Sequence, residues 1–219
     1  MSRLHWLTTG CLVALGTAAL ASSADATPRA PRLPALTVAE REALWAGDVV
    51  SRPMSFTTEE GSYRGGVSYS LVQAPPEAVL AALCNVSTLP MALPRTRSAR
   101  LIDRQGGLSR IELVQAGDTT YTVNIERSPT RSELRFWLDP SRPHDISDVF
   151  GFFRVDPFPG GRSLVTVAAA LDLGTGLTSL LFSDAVQRAL LSTPGQIRDF
   201  VEPRAIALLE APPGSIRGF

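Results

Sequence analysis

Few side chains in this sequence are equipped for chemistry. There are two histidines, His5 and His144, and two cysteines, Cys11 and Cys84. A closed zinc site takes four such ligands and a nucleophilic triad takes a nucleophile, a base and an orienting group, so most metal and triad chemistry is out of reach. His144 lies in PSRPHDISD beside Asp145. An imidazole can serve as a general base near neutral pH, but neighbouring loop side chains often point apart and no companion nucleophile is evident. Cys84 sits in a Leu-rich helical stretch and reads as a small buried hydrophobe more readily than as a nucleophile. The other polar candidates are Arg110, Glu112, Asn124, Arg154 and Asp172, all on strand-like runs. A few convergent polar groups in an apolar cavity orient a ligand head, and Arg154 stands among Phe150, Phe152, Phe153 and Phe158. The plainer reading is a solvent-facing arginine paired with Asp156 or Glu112. Gly65-Gly66 and Gly160-Gly161 mark bends or bulges, because neither has the strand-to-helix context with Lys that cradles a phosphate. No catalytic residue, cofactor or metal ligand is assigned.

The elements that position these residues follow from the rest of the chain. It has 219 residues, 44% of them hydrophobic, with 21 basic residues, all arginine, against 21 acidic ones. Such a balance, without a long basic run, excludes an electrostatic grip on nucleic acid. Residues 1–26 run apolar from Leu12 to Leu20 and close on Ala24-Asp25-Ala26, the pattern of a secretory signal peptide. The expected mature protein is exported, periplasmic or extracellular, has no stable transmembrane span, and keeps only Cys84 and His144. Residues 27–60 read as a Pro-rich tether followed by a short helix, which opens on the capping box Thr37-Val38-Ala39-Glu40 and stops at Gly47. Val49 through Phe56 adds at most a short extended piece.

The main domain is expected over 61–211, with 212–219 as a tail. SYRGGVSYSLV alternates with a period of two and is a strand. Ala74-Pro75-Pro76-Glu77 opens a helix, and LPMALP makes a second short turn. From Ser98 onward six strand-like runs joined by short turns form an antiparallel meander, for seven strands in all. The last segment returns to a helical period from Leu177 to Leu209, with Pro194 and Pro203 expected to divide it into segments meeting at kinks.

This order resembles the START-like, or helix-grip, superfamily, which includes polyketide cyclases, lipid-transfer START domains and coenzyme-Q-binding proteins. The stretches that carry the resemblance are YSLVQAPPEAVLAALCNVSTLPMALPRTRSARLI, DISDVFGFFRVDPFPGGRSLVTVAAALDLG and TPGQIRDFVEPRAIALLE. It implies an α+β fold, a curved seven-stranded antiparallel sheet packed against a long C-terminal helix, with short helices after strand one. It also implies a cavity between sheet and helix for a lipid, quinone or polyketide-like molecule.

Alternation separates the strand faces. Tyr121, Val123 and Ile125 share one face, as do Leu134, Phe136 and Leu138, and these apolar sets are the better candidates for the inner wall. Around Val149 to Phe158 both faces are apolar. The candidate ligand-binding set is Tyr121, Phe136, Phe150, Phe152, Arg154, Arg110 and Asn124. The expected function is non-enzymatic binding or carriage of a hydrophobic small molecule. A cyclase or aromatase acting by proximity in an apolar pocket, and an interaction domain with a filled cavity, are the alternatives. Ala168, Ala169 and Ala170 could then allow close helix packing.

Overall fold

The computed structural model describes residues 35–130, 132–174 and 177–210, and the side chains of these except at 177–183 and 206–210. The expected leader at 1–26 with His5 and Cys11, most of the tether, and the tail at 212–219 lie outside the described residues.

Helix α1, Val38–Trp45, begins on the capping box read from the sequence: Glu40 N–H donates to Thr37 Oγ1 (3.2 Å) and Thr37 N–H to Glu40 Oε2 (2.7 Å). It ends at Gly47, whose φ of +91° is easy only for glycine. Eight strands follow in a single antiparallel sheet: β1 Val50–Thr57, β2 Ser62–Val72, β3 Thr96–Gln105, β4 Leu108–Gln115, β5 Thr120–Arg127, β6 Glu133–Leu138, β7 Asp148–Phe158 and β8 Arg162–Asp172. Between β2 and β3 come α2, Pro76–Cys84, a 3₁₀ turn at Val86–Thr88, and α3, Leu89–Ala92. Helix α4, Leu177–Glu210, closes the described chain. Strand order across the sheet is β1-β2-β8-β7-β6-β5-β4-β3. The chain thus leaves β2, crosses by α2 and α3 to the far edge at β3, and returns strand by strand until β8 pairs with β2.

Two expectations are corrected. The sheet has eight strands and not seven, because the extended piece after α1 pairs fully with β2, from Val50↔Tyr69 to Thr57↔Ser62. Its exposed side chains and Pro53 weaken its alternation, and both suit an edge strand. The final segment is a single helix with Pro194 and Pro203 inside it. Proline in a helix interior costs about 3 kcal/mol, and burial offsets this here: Pro194 and Ile197 are fully buried, with Phe200 and Val201 beside them in the core. Gly195 follows because a Cβ there would meet Val49 Cγ2 at 2.9 Å. Arg198 holds the same approach by donating to the Gly47 carbonyl (2.5 Å).

The core forms two clusters on the helix-facing side of the sheet. In one, Ile197, Phe200, Val201 and Ala205 of α4 pack with Val79, Leu80 and Leu83 of α2 on Leu134, Phe153, Val155, Val165 and Val167. In the other, Leu89 of α3 lies with Ile111, Leu113, Val123, Leu138, Val149 and Leu171, with Val186 and Leu190 of α4 packed against them.

Candidate functional site

Register assigns every strand residue to one of two faces, since opposite partners share a side. The helix-facing side contains Tyr121, Val123 and Ile125 of β5, Leu134, Phe136 and Leu138 of β6, and Val149, Phe153 and Val155 of β7. One row crosses the sheet there as Gly66, Ala169, Gly151, Phe136 and Ile125. Three small residues in a row make a shallow hollow that is filled: Gly66 and Ala169 are buried, Gln187 of α4 donates to the neighbouring Gly65 and Met54 carbonyls, and the Phe136 ring lies over Gly151. A Cβ on Gly151 would stand 2.6 Å from Phe136 Cζ and 2.1 Å from the Ala168 carbonyl oxygen, so only glycine fits. Phe136 and Phe153 also meet, with ring centroids 5.3 Å apart.

Ile125 and Phe136 on the helix-facing side, and Leu93 just after α3, pack against both core clusters and are each half-buried. Apolar surface therefore stays accessible on the side chains that join the clusters. Among the polar groups on the same face is the Tyr121 phenol. With the Gln115 amide turned to satisfy its neighbours, its oxygen accepts from the Tyr121 and Thr96 hydroxyls and its nitrogen donates to the Pro94 and Arg95 carbonyls. Burial pushes the Tyr121 phenol up to about 12, so it is neutral at any physiological pH. The carboxylates on β3 to β8, namely Asp103, Glu112, Glu126, Glu133, Asp148, Asp156 and Asp172, all belong to the opposite face by register.

That opposite face receives five of the seven candidates: Arg110, Asn124, Phe150, Phe152 and Arg154. Tyr121 and Phe136 stand together on the helix-facing side. Arg154 pairs with neither Asp156 nor Glu112. Its Nε and Nη2 donate to Glu133 Oε2 at 2.9 and 2.7 Å, Arg135 Nε donates to Oε1 at 3.0 Å, and the Glu133 side chain has no exposed area. Burial pushes the Glu133 carboxyl up, and the hydrogen bonds from Arg154 and Arg135 more than reverse it, leaving it below the usual carboxylate range. Arg154 also lies over the Phe152 ring, 5.0 Å from its centroid. Arg110 donates to Asp103 (2.9 Å), with Asp139 3.4 Å from its Nε. Asn124 is its buried cross-strand partner. Phe150 is partly exposed and meets Tyr63 edge-on across β8, where Ala170 leaves room. Of the three alanines, only Ala169 lies on the helix-facing side.

His144 and Asp145 point to different partners. His144 Nδ1 bonds the Ile146 carbonyl (2.7 Å) and Asp145 Oδ2 accepts from Thr120 N–H (2.8 Å), so they form no acid-base pair. Cys84, at the end of α2, is half-buried, and burial pushes its thiol up while Arg127 and Arg104 pull it down. An open groove of about 450 Å³ adjoins Arg127 and is lined also by Gly107, Ser128, Pro129, Thr130 and Ser132. Among the described residues no group of three or more His, Cys, Asp or Glu is placed to hold a metal, and no helix is long and apolar enough to cross a membrane.

Sequence reasoning missed Glu133, Gly151, and Arg104 and Arg127, which the register places on the helix-facing side of β3 and β5 with their side chains exposed. A glycine inside the run FGFF was one legible signal, since Gly in a strand interior often marks close approach.

The architecture can be set beside known structures. The Zhui aromatase/cyclase from Streptomyces sp. R1128 superposes with a TM-score of 0.57 at 14% identity, over 70% of this chain and 99% of that one. The fold is the helix grip. A STAR-related lipid transfer protein from Xanthomonas axonopodis shares this helix grip with a TM-score of 0.55 at 12% identity, over 69% and 98% of the two chains. A protein from Thermus thermophilus does so with 0.55 at 19%, over 65% and 97%. No family model and no curated protein matches the chain. In helix-grip terms, the apolar surface on the side chains that join the two core clusters is the inside of the grip.

Proposed function

We propose that this protein is an exported, non-enzymatic binding or carrier protein for a hydrophobic small molecule, a lipid, quinone or polyketide-like compound, held between the sheet and α4. One observation carries the reading: Leu93, Ile125 and Phe136 pack against both core clusters yet each keeps accessible apolar surface. Apolar surface facing inward gains about 25 cal/mol per Å² when a ligand covers it. Two solved helix-grip structures described as an aromatase/cyclase and a lipid transfer protein make both carriage and cyclisation natural to consider. Binding is favoured because the titratable groups beside the apolar surface are a phenol and a thiol, both pushed up by burial, and two arginines at the edge of that face, with the strand carboxylates on the other side. General acid-base work needs groups that titrate near the operating pH.

Native mass spectrometry of the gently purified protein is expected to show a retained small molecule, released by organic extraction. After extraction, the neutral fluorophore N-phenyl-1-naphthylamine should bind with a blue shift, and Phe136→Trp, which enlarges a ring on the accessible apolar surface, should weaken it several-fold. A protein that retains nothing and gives no response to the fluorophore would overturn the reading in favour of a filled interaction domain.

A further inference from the structure

The cations of the sheet are distributed unevenly between its faces. On the face away from the helix, Arg100 pairs with Glu112, Arg110 with Asp103, and Arg135 and Arg154 with Glu133, while Arg162 lies over the Trp45 and Phe158 rings; on the helix-facing side Arg64 pairs with Asp184. Arg104 and Arg127 differ. Arg104 is opposite Ser109, which is opposite Ile125, and Arg127 is opposite Leu134. Both therefore stand on the helix-facing side, Arg104 at the end of the row that carries Ile125 and Phe136 and Arg127 at the end of the neighbouring row through Leu134 and Phe153. Arg104 donates to the Ser109 hydroxyl (3.1 Å), and among the described residues no carboxylate forms an ion pair with either guanidinium. Both are exposed at the rim while their strand neighbours Ile125 and Leu134 lead inward.

We infer that the molecule taken up is an amphipathic anion, its acidic headgroup held by Arg104 and Arg127 at the rim and its apolar part lying along Ile125, Phe136 and Leu93. This rests on the carrier function proposed above and narrows its ligand class. Arginine suits the task because its planar fork matches carboxylate and phosphate oxygens bidentately. Two cations with no ion-pair partner among the described residues would gain nothing from a bound neutral lipid, whereas an acidic headgroup supplies a partner.

The test uses the full purified chain and two fluorescent probes of the same shape, 12-(9-anthroyloxy)stearic acid and its methyl ester. The parent protein is expected to bind the acid about tenfold more tightly than the ester at low salt, with the preference shrinking as salt rises. Arg104→Gln together with Arg127→Gln should bring the acid down to the affinity of the ester and leave the ester unchanged. Retained binding of the ester also shows that the variant is folded. Competition by dodecyl phosphate and by dodecanoate distinguishes a phosphate from a carboxylate headgroup, and either competing better than dodecanol supports the inference. Equal binding of acid and ester by the parent protein, or a preference that survives the double substitution, overturns it while leaving the carrier function standing. If neither probe binds, both fall.

Discussion

Replacing Glu133 by Gln tests the most buried charge described in the protein. The substitution keeps volume and a hydrogen-bonding carbonyl but removes the negative charge from between Arg154 and Arg135. Breaking a fully buried ion pair from one side costs about 3–5 kcal/mol. The two arginine side chains are 25% and 26% exposed, so water can resolvate them, and a loss of about 2–3 kcal/mol is expected. For a domain of this size that lowers Tm by about 5–10 °C. Urea unfolding followed by tryptophan fluorescence should show a lower midpoint with an unchanged slope, since the surface exposed on unfolding is the same. Acid supplies a second reading. A carboxyl whose native pKa is depressed contributes stability that is whole above its unfolded value, about 4.3, and is lost as pH falls through the native value. The gap between parent and variant should therefore close on acidification. A Glu133→Gln protein within about 0.5 kcal/mol of the parent at pH 7, the range of an ordinary surface change, would refute the argument from burial.

Two further outcomes follow from the geometry. Gly151→Ala should destabilise the fold by about 1–3 kcal/mol or more through overpacking and displace the Phe136 ring; a melt unchanged from the parent would show that the hollow has slack. Arg52 hydrogen-bonds Glu40 and, with Thr37, holds its carboxyl down to about 2, so α1 should stay docked through pH 4 and loosen only as pH falls toward 2. Amide exchange over 38–45 at pH 5 and pH 2 checks this, and equal protection at both would remove the carboxylate from the account.

What the sequence made legible was whatever depends on local period. The alternation of Leu134, Phe136 and Leu138, the capping box at Thr37, and the stripe through Ile197, Val201 and Ala205 each name a face without knowing the partner. Pairing was not legible. Arg154 and Glu133 lie on different strands, and only the register Glu133↔Arg154 brings them together, so Asp156, close by in the sequence, and Glu112 were the mistaken choices. The same limit applied to Phe150 and Phe152. A strand apolar on both faces cannot say which side turns to the helix, and the structure gives that side to Val149, Phe153 and Val155. Arg104 escaped notice because a bulge between Leu101 and Asp103 shifts the parity of β3, whereas Arg127 continues the alternation of Tyr121, Val123 and Ile125 and was legible from it. Pro194 misled for the opposite reason, since tertiary burial overrode a strong local preference.

The pairing of β2 with β8 has a consequence for how this chain reaches its native state. Val72 meets Ser163 and Arg64 meets Leu171, so the early hairpin waits, with one edge open, until nearly the whole meander has been made. Contacts so remote in sequence are slow to form, because the loop must close before they stabilise it. A ribosome-bound or truncated chain ending before Arg162 has the two halves of the sheet without the strand that joins them, and its open edges are sites for association with other chains. The last strand to emerge is thus the keystone, and the vulnerable interval in the life of this protein is the time spent before it arrives.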